Sequence, residues 1–194
     1  MIMEIEYEAK FLNIDKNEIR ARLKKIGAIV KRPEFLQKRF VFDVPRDDGK
    51  DYRWVRVRDE GDKITMTMKI IDGNKIENQK EINLVVDDFA KAEEFLLKLG
   101  CRKAGYQENR RELWMIDATC VTIDEWPFLE TFIEIEGSSE KIVKEISLRL
   151  GFDYGSAVFG GVGGVYMKKY GVPFDIVKKN IEYATFETEN PFLK

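Results

Sequence analysis

Histidine is absent from all 194 residues. That excludes Ser-His-Asp and Cys-His catalysis, His-ligated zinc and imidazole acid–base chemistry, and leaves carboxylates, lysine, arginine and oxygen-bound metal as the available chemistry. Cysteine is almost as scarce. Cys101 and Cys120 stand far apart without CxxC spacing, which argues against a disulfide framework or a thiolate metal site and for a reducing, cytoplasmic setting. Charge of one sign is also missing: 33 basic against 35 acidic residues leave −2, so no net field advertises nucleic acid or membrane as partner, and any function of charge must come from its arrangement. No run of about 18 apolar residues occurs and the start, MIMEIEYEAK, has no apolar h-region, so neither membrane spanning nor secretion is expected. The glycine-rich GGVGG at 160–164 is not followed by the GK[ST] that would make it a P-loop.

What is present is alternation. In EIEYEAKF (4–11), KEINLVV (80–86) and FIEIE (132–136), charged and apolar residues take turns at the period of a strand. Each of these strands is followed by a helix written in one grammar. Asp15 caps a helix carrying Ile19, Leu23 and Ile26 and ending at Gly27; Phe89, Ala92, Leu96 and Leu99 lead to Gly100; Ser138 or Ser139 caps a third, with Ile142, Ile146 and Leu150 before Gly151. The threefold recurrence suggests pseudo-symmetric construction. LQKRFVFD, YRWVRVR, ITMTMKI, ENRRELWMI and TCVTIDEW read as further strands, RDDGKD and DEGDK as turns, and IIDGNKIENQ as a longer surface connection. About eight strands with three or four helices make an α+β plan around a large antiparallel sheet. No linker divides the chain, so residues 1–194 are expected to form a single domain. Within it, 152–194 stands apart as a glycine-rich segment without clear periodicity, read as a loop or lid and a C-terminal tail.

The amphipathic helices need a sheet face to cover, and the Ile/Val/Met face is the one available. The opposite face then carries Glu4, Glu6, Glu8, Lys10, Arg56, Arg58, Lys69, Glu81, Arg111, Asp124, Glu134 and Glu136. On an open sheet these charges would be wet and would form weak pairs worth at most about 1 kcal/mol each. In a barrel of about eight strands they line the lumen, where they are costly unless ions or a charged ligand occupy it. Acids concentrate on the first strand, VTIDEW and FIEIE, and bases on YRWVRVR. Clustered carboxylates suit hard cations and guanidinium groups suit phosphate oxygens, so the pairing fits a metal-bound polyphosphate. An apolar-lumen carrier barrel fits poorly.

The ordered set Glu6-x-Glu8-x-Lys10, Arg56-x-Arg58, Thr67-x-Lys69, Arg111-Glu112-x-Trp114, the isolated Asp124 and Glu134-Ile-Glu136 resembles the CYTH superfamily, the triphosphate tunnel metalloenzymes, over nearly the whole chain. The resemblance implies an eight-stranded antiparallel β-barrel with a polar, charged lumen and helices packed outside. By motif it implies Glu6, Glu8, Asp124, Glu134 and Glu136 as metal ligands. Lys10, Arg39, Arg56, Arg58, Lys69, Arg111 and Lys168 are the implied phosphate-binding groups, with Lys169 an equal candidate for the late lysine. Lys10 and Glu81 are the implied catalytic residues, Glu81 as the acid that orients a base or a water. Glu4 reads as a rim charge, and Trp54 and Trp126 as either base-stacking or packing aromatics. Two departures bear on specificity: Asn109 stands where many members have a basic residue, and SAVFGGV keeps Ser156 of an S-Y-x-x-L element but has Ala157 in place of its tyrosine.

The expected function is metal-dependent hydrolysis of triphosphates (inorganic tripolyphosphate, thiamine triphosphate or a nucleoside triphosphate) with Mg²⁺ or Mn²⁺ as cofactor. The alternative is a class IV adenylate cyclase converting ATP to cyclic AMP and pyrophosphate; a further alternative is a polyphosphate- or nucleotide-binding module without turnover. The expected partner is a small-molecule triphosphate, with no nucleic acid and no membrane, and a homodimer is compatible.

Overall fold

A computed structural model describes residues 3–45, 52–73 and 75–193. The expected RDDGKD turn and Asn74 of the later connection lie outside the described residues. In chain order the strands are β1 (Glu4–Ile5), β2 (Tyr7–Phe11), β3 (Ile29–Asp43), β4 (Tyr52–Asp59), β5 (Ile64–Ile71), β6 (Gln79–Val86), β7 (Arg102–Ile116), β8 (Thr119–Glu125), β9 (Phe132–Gly137) and β10 (Tyr183–Ala184). The helices are α1 (Lys16–Lys25), α2 (Phe89–Lys98), α3 (Glu140–Arg149), α4 (Gly163–Tyr170) and α5 (Phe174–Asn180).

The hydrogen-bonded order is β1-β6-β5-β4-β3-β7-β8-β9-β2, antiparallel at every step, with β10 added in parallel to β7. The two ends of this path, β1 and β2, are separated in sequence by Glu6 alone, so the sheet returns to its own beginning and forms a nearly closed barrel. The expected count of eight strands is corrected to ten. The opening strand divides at Glu6, with β1 on β6 and β2 on β9, and the two-residue β10 is new. Two strands run longer than their alternating cores predict. β3 begins at Ile29, passes Pro33 and breaks register on either side of Arg32; β7 begins at Arg102 and passes Gly105. Proline and bulges are tolerated there because β4 pairs only with Lys38–Asp43, leaving the first half of β3 bonded on one side by β7.

The three expected helices start and stop as their sequences dictate. Asp15, Asp88 and Ser139 accept from backbone N–H groups of the first turn. Gly27, Gly100 and Gly151 take the left-handed conformation at the other end, with φ of 86°, 87° and 82°. α1 and α3 also cap each other: Arg22 donates to Leu150 O at 2.9 Å and Arg149 to Ile26 O at 3.0 Å. Their apolar stripes, including Ile19, Leu23, Val143 and Ile146, bury Ala9, Phe11, Val121, Ile133 and Ile135 on the outside of the barrel. α2 does the same for Phe42, Val55 and Val57 through Ala92 and Leu96. Each fully buried Leu or Ile contributes about 1.5–3 kcal/mol, so the oil lies between barrel and helices, and the alternate residues of the same strands must point inward.

Residues 152–193 are more ordered than their glycine content predicts. α4 and α5 form there and pack at one end of the barrel with Trp126, Phe132, Tyr166, Val177 and Ile181. Gly163 is needed for this packing, since a Cβ would lie 2.6 Å from the Phe174 ring. Among the described residues no helix is long and apolar enough to cross a membrane.

Candidate active site

The barrel encloses a cavity of about 560 Å³. One wall is acidic. Register places Glu8 opposite Glu136 and Lys10 opposite Glu134 on β2 and β9, while Glu6, at the division between β1 and β2, meets Lys69 and Gln79. The Lys10 ammonium bonds Glu8 at 2.5 Å, Glu134 at 3.0 Å and the Gly160 carbonyl at 2.7 Å, which uses its three donors. Lys69 also faces Glu81 at 3.4 Å.

The acids outnumber the cations that reach them. Burial and the nearby Glu134 carboxylate push Glu8 up to about 8, in spite of Lys10. Burial, with Glu6 and Glu134 nearby, pushes Glu136 up to about 7. Burial opposes the charge on Glu134 too, yet Lys10, Arg111 and Lys69 together hold it well below the usual range; Glu6 is also lowered, against its burial, by Lys69. Lys10 is shared by Glu8 and Glu134, and Glu134 has Arg111 as a second cation at 3.2 Å, which Glu8 lacks among the described residues.

The opposite wall is basic. Arg39, Arg56, Arg58 and Arg111 come from three adjacent strands, β3, β4 and β7. Burial and the charges of Arg56, Arg58 and Arg111 lower Arg39 well below the ordinary range, and burial with Arg56 lowers Arg58 to about 9. Among the described residues the Nε groups of Arg39, Arg56 and Arg58 are buried without hydrogen-bond partners. Buried N–H groups of this kind are rare unless something absent from the chain itself receives them.

The cavity brings together Glu6, Glu8, Lys10, Arg39, Arg56, Arg58, Lys69, Glu81, Arg111, Glu134 and Glu136 among the sequence-derived candidates. Two are not on its wall. Asp124 is fully enclosed, accepting from Asn109 (2.9 Å), Arg111 Nε and NH2 (2.8 Å each) and the Thr122 hydroxyl (2.6 Å). Lys168 lies apart, its ammonium 3.3 Å from Ser156 O, and Lys169 turns to Phe128 O and Glu130. Glu4 is an exposed residue opposite Glu81.

Toward α4 and α5 the lining turns aromatic and apolar. Trp54, stacked on Tyr52 at 5.0 Å, faces Gly161, and Tyr52 meets the edge of Phe174 at 5.2 Å. Lys178 lines this end while bonding Asp43 at 2.6 Å. Trp126 is nearly buried beneath Arg39, 4.4 Å from its ring centre. Tyr52 was legible as a neighbour of Trp54 on the inward parity of YRWVRVR; Phe174 and Lys178 carried no signal, because the helix that presents them had none.

A sequence model of the CYTH domain matches residues 4–149. The chain belongs to the CYTH family. A Methanocaldococcus jannaschii protein named provisionally as an adenylate cyclase is 28% identical over 139 residues, covering 71% of this chain and 79% of its own. Two solved structures share the fold. A Vibrio parahaemolyticus protein, also named provisionally as an adenylate cyclase, has a TM-score of 0.70 at 11% identity and covers 85% of this chain and 99% of its own. A Hippeastrum protein, named provisionally as an adenylyl cyclase and described as having a dominant triphosphatase activity, has a TM-score of 0.56 at 15% identity and covers 88% of this chain and 99% of its own. The CYTH match ends before α4 and α5, so Phe174 and Lys178 come to the aromatic end of the cavity from beyond it, while Tyr52, Trp54 and Trp126 lie within it.

The acidic wall fits the divalent metal that a CYTH tunnel implies. Its donors are hard carboxylate oxygens, and two of them, Glu8 and Glu136, are driven toward protonation by burial and by neighbouring carboxylates. In this conformation the side chains turn to Lys10, Lys69 and Arg111, and among the described residues no three acidic or thiol groups already stand together as ligands. Glu8 and Glu136, with Glu6 and Glu134 beside them, are the residues that would hold the ion; Asp124 is already saturated.

Proposed function

We propose that this CYTH protein is a divalent-metal-dependent enzyme that hydrolyses an organic triphosphate bound in the tunnel. The observation that carries the reading is the segregation of charge in one cavity, carboxylates short of cations on one wall and guanidinium N–H groups short of acceptors on the other. A polyphosphate with its metal answers both needs. Phosphoryl transfer asks a protein mainly for positioning and charge stabilisation, which four converging arginines provide. Mg²⁺ or Mn²⁺, when bound, supplies Lewis-acid stabilisation of charge on the phosphate oxygens.

The chain's own residues divide the remaining work. Arg39, Arg56, Arg58 and Arg111 grip the phosphates, with Asp124 fixing Arg111 by a two-point contact. Lys69, shared by Glu6 and Glu81, lies between the two walls, and Glu81 faces the cavity as the carboxylate able to orient an attacking water. Trp54, Tyr52 and Phe174 offer ring faces that inorganic tripolyphosphate would leave unused, which favours a substrate with an aromatic organic part. Residues 152–193 act as the lid over that end. The dominant triphosphatase activity of the Hippeastrum protein supports hydrolysis.

The second reading, cyclisation of ATP to cyclic AMP and pyrophosphate, draws support from the names of the Methanocaldococcus and Vibrio proteins and from the same aromatic end. One experiment separates them: incubation with tripolyphosphate, ATP or thiamine triphosphate, with Mg²⁺, Mn²⁺ or a chelator, and resolution of the products. Orthophosphate from an organic triphosphate, lost on chelation, is expected; cyclic AMP selects the cyclase, and binding without turnover leaves a sensor.

A further inference from the structure

Arg39 is a buried cation without a counter-ion: among the described residues no carboxylate lies within salt-bridge reach of it. What holds it is neutral. Its NH2 donates to Gln37 Oε1 at 3.2 Å and to Asn109 Oδ1, and its plane lies over Trp126. Asn109, completely buried on β7, passes its other end to the anchor on β8, donating from Nδ2 to Asp124 Oδ1 at 2.9 Å. The same Asp124 oxygen accepts from Arg111 Nε. A continuous line, Arg39–Asn109–Asp124–Arg111, thus crosses three strands and joins two guanidinium groups on the cavity wall.

The polarity of this line has one solution. Asp124 can only accept and Arg39 can only donate, so a flipped amide would set N–H against N–H at one end and oxygen against carboxylate at the other. Both ends therefore lock the amide as found. The choice of a neutral group also matters. A carboxylate at position 109 would neutralise Arg39 and compete with a bound anion, and a basic group there would repel the Arg39 guanidinium.

We propose that Asn109 is a positioning residue, which uses Asp124 as anchor to aim Arg39 at the bound phosphate while leaving its charge unspent. The inference rests on the triphosphate reading above.

The test is calorimetric binding of inorganic tripolyphosphate with Mg²⁺ to the unaltered protein, Asn109→Leu, Arg39→Met and the double variant. Loss of a hydrogen bond to a charged group should weaken binding by roughly tenfold or more in Asn109→Leu. The double variant should bind no more weakly than Arg39→Met alone, because Asn109 acts only through Arg39. A purely structural asparagine would lower the melting temperature without that dependence on Arg39. If Asn109→Leu fails to melt cooperatively, Asn109→Ala, which removes both bonds without adding volume, carries the same expectation. Unchanged affinity in the variant, or multiplying losses in the double, overturns the role of Asn109 while leaving the triphosphate reading in place. Absence of binding by the unaltered protein overturns both.

Discussion

Replacing Asp124 by asparagine separates an anchor from a metal ligand. The side chain has zero exposure and accepts four hydrogen bonds, two of them from Arg111. With Oδ1 kept toward Asn109 and Arg111 Nε, the new amide nitrogen must replace Oδ2, facing Arg111 NH2 donor to donor, while the Thr122 hydroxyl can rotate and accept instead. One charge-assisted bond is lost outright, worth about 1.5–3 kcal/mol, and the other loses its charge. Arg111 keeps Glu134 at 3.2 Å, so it is not stranded, and the cost falls near the lower end of the about 3–5 kcal/mol seen when a buried pair is broken. About 3 kcal/mol should lower the melting temperature of a domain of this size by about 6–12 °C. The assay is thermal unfolding of Asp124→Asn beside the unaltered protein, both in a chelator. A ligand would behave in the opposite way, since removing one of several crowded carboxylates relieves repulsion before metal arrives. A metal-free melting temperature that stays within about 2 °C or rises would refute the assignment of Asp124 as the anchor of Arg111.

Glu136→Gln is the complementary case: burial and like charge already press on this carboxylate, so metal-free stability should hold or increase while metal-dependent turnover falls by at least about a hundredfold, measured by unfolding and product release side by side. Trp54→Ala should raise the KM for an organic triphosphate by roughly five- to a hundredfold, the worth of one lost ring stack, and leave that for tripolyphosphate unchanged; equal effects on both would remove the aromatic end from substrate recognition. Gly105→Ala puts a Cβ 2.4 Å from Glu182 O, so β10 must leave β7 and the bonds from Tyr106 N and Gln107 Nε2 to Glu182 O and Ile181 O are lost. Limited proteolysis should then cut within 171–190 faster than in the unaltered protein, and equal protection would show that the arm is held by other contacts.

Much of the fold was legible because local chemistry and global topology agree. Alternation along EIEYEAKF and FIEIE, together with helices whose caps and glycines mark both ends, defines which face is covered and therefore which face turns inward. The errors fall where backbone is shaped by tertiary contact. Pro33 would end an ordinary strand, yet β3 carries it where β4 no longer pairs. The glycines at 163 and 164 argue against helix, yet α4 forms there because Phe174 needs the space that a side chain would fill. Without α4 and α5, Trp54 and Trp126 read as either stacking or packing aromatics, because Phe174 and Lys178, which complete that end, lay in a helix with no signal.

The candidate site shows a different limit. Parity reveals that Lys10 and Asp124 leave the oily face, but it does not say whether either is free for a ligand. That depends on register: Lys10 is occupied because Glu134 lies directly across on β9, and Asp124 because Arg111 lies directly across on β7. Glu134 lies more than a hundred residues from Lys10, and neither the Lys10–Glu134 nor the Arg111–Asp124 pair lies on a single strand. The arginines are the reverse. Among the described residues Arg39 and Arg56 have no carboxylate partner, because the strands next to them bring more arginine, an amide or a hydroxyl, and an unanswered charge of that kind becomes visible only once the strands are placed side by side. A tunnel of self-satisfied ion pairs would need no ligand. It is the mismatch between its walls, created by pairing order rather than by composition, that supports the polyphosphate reading.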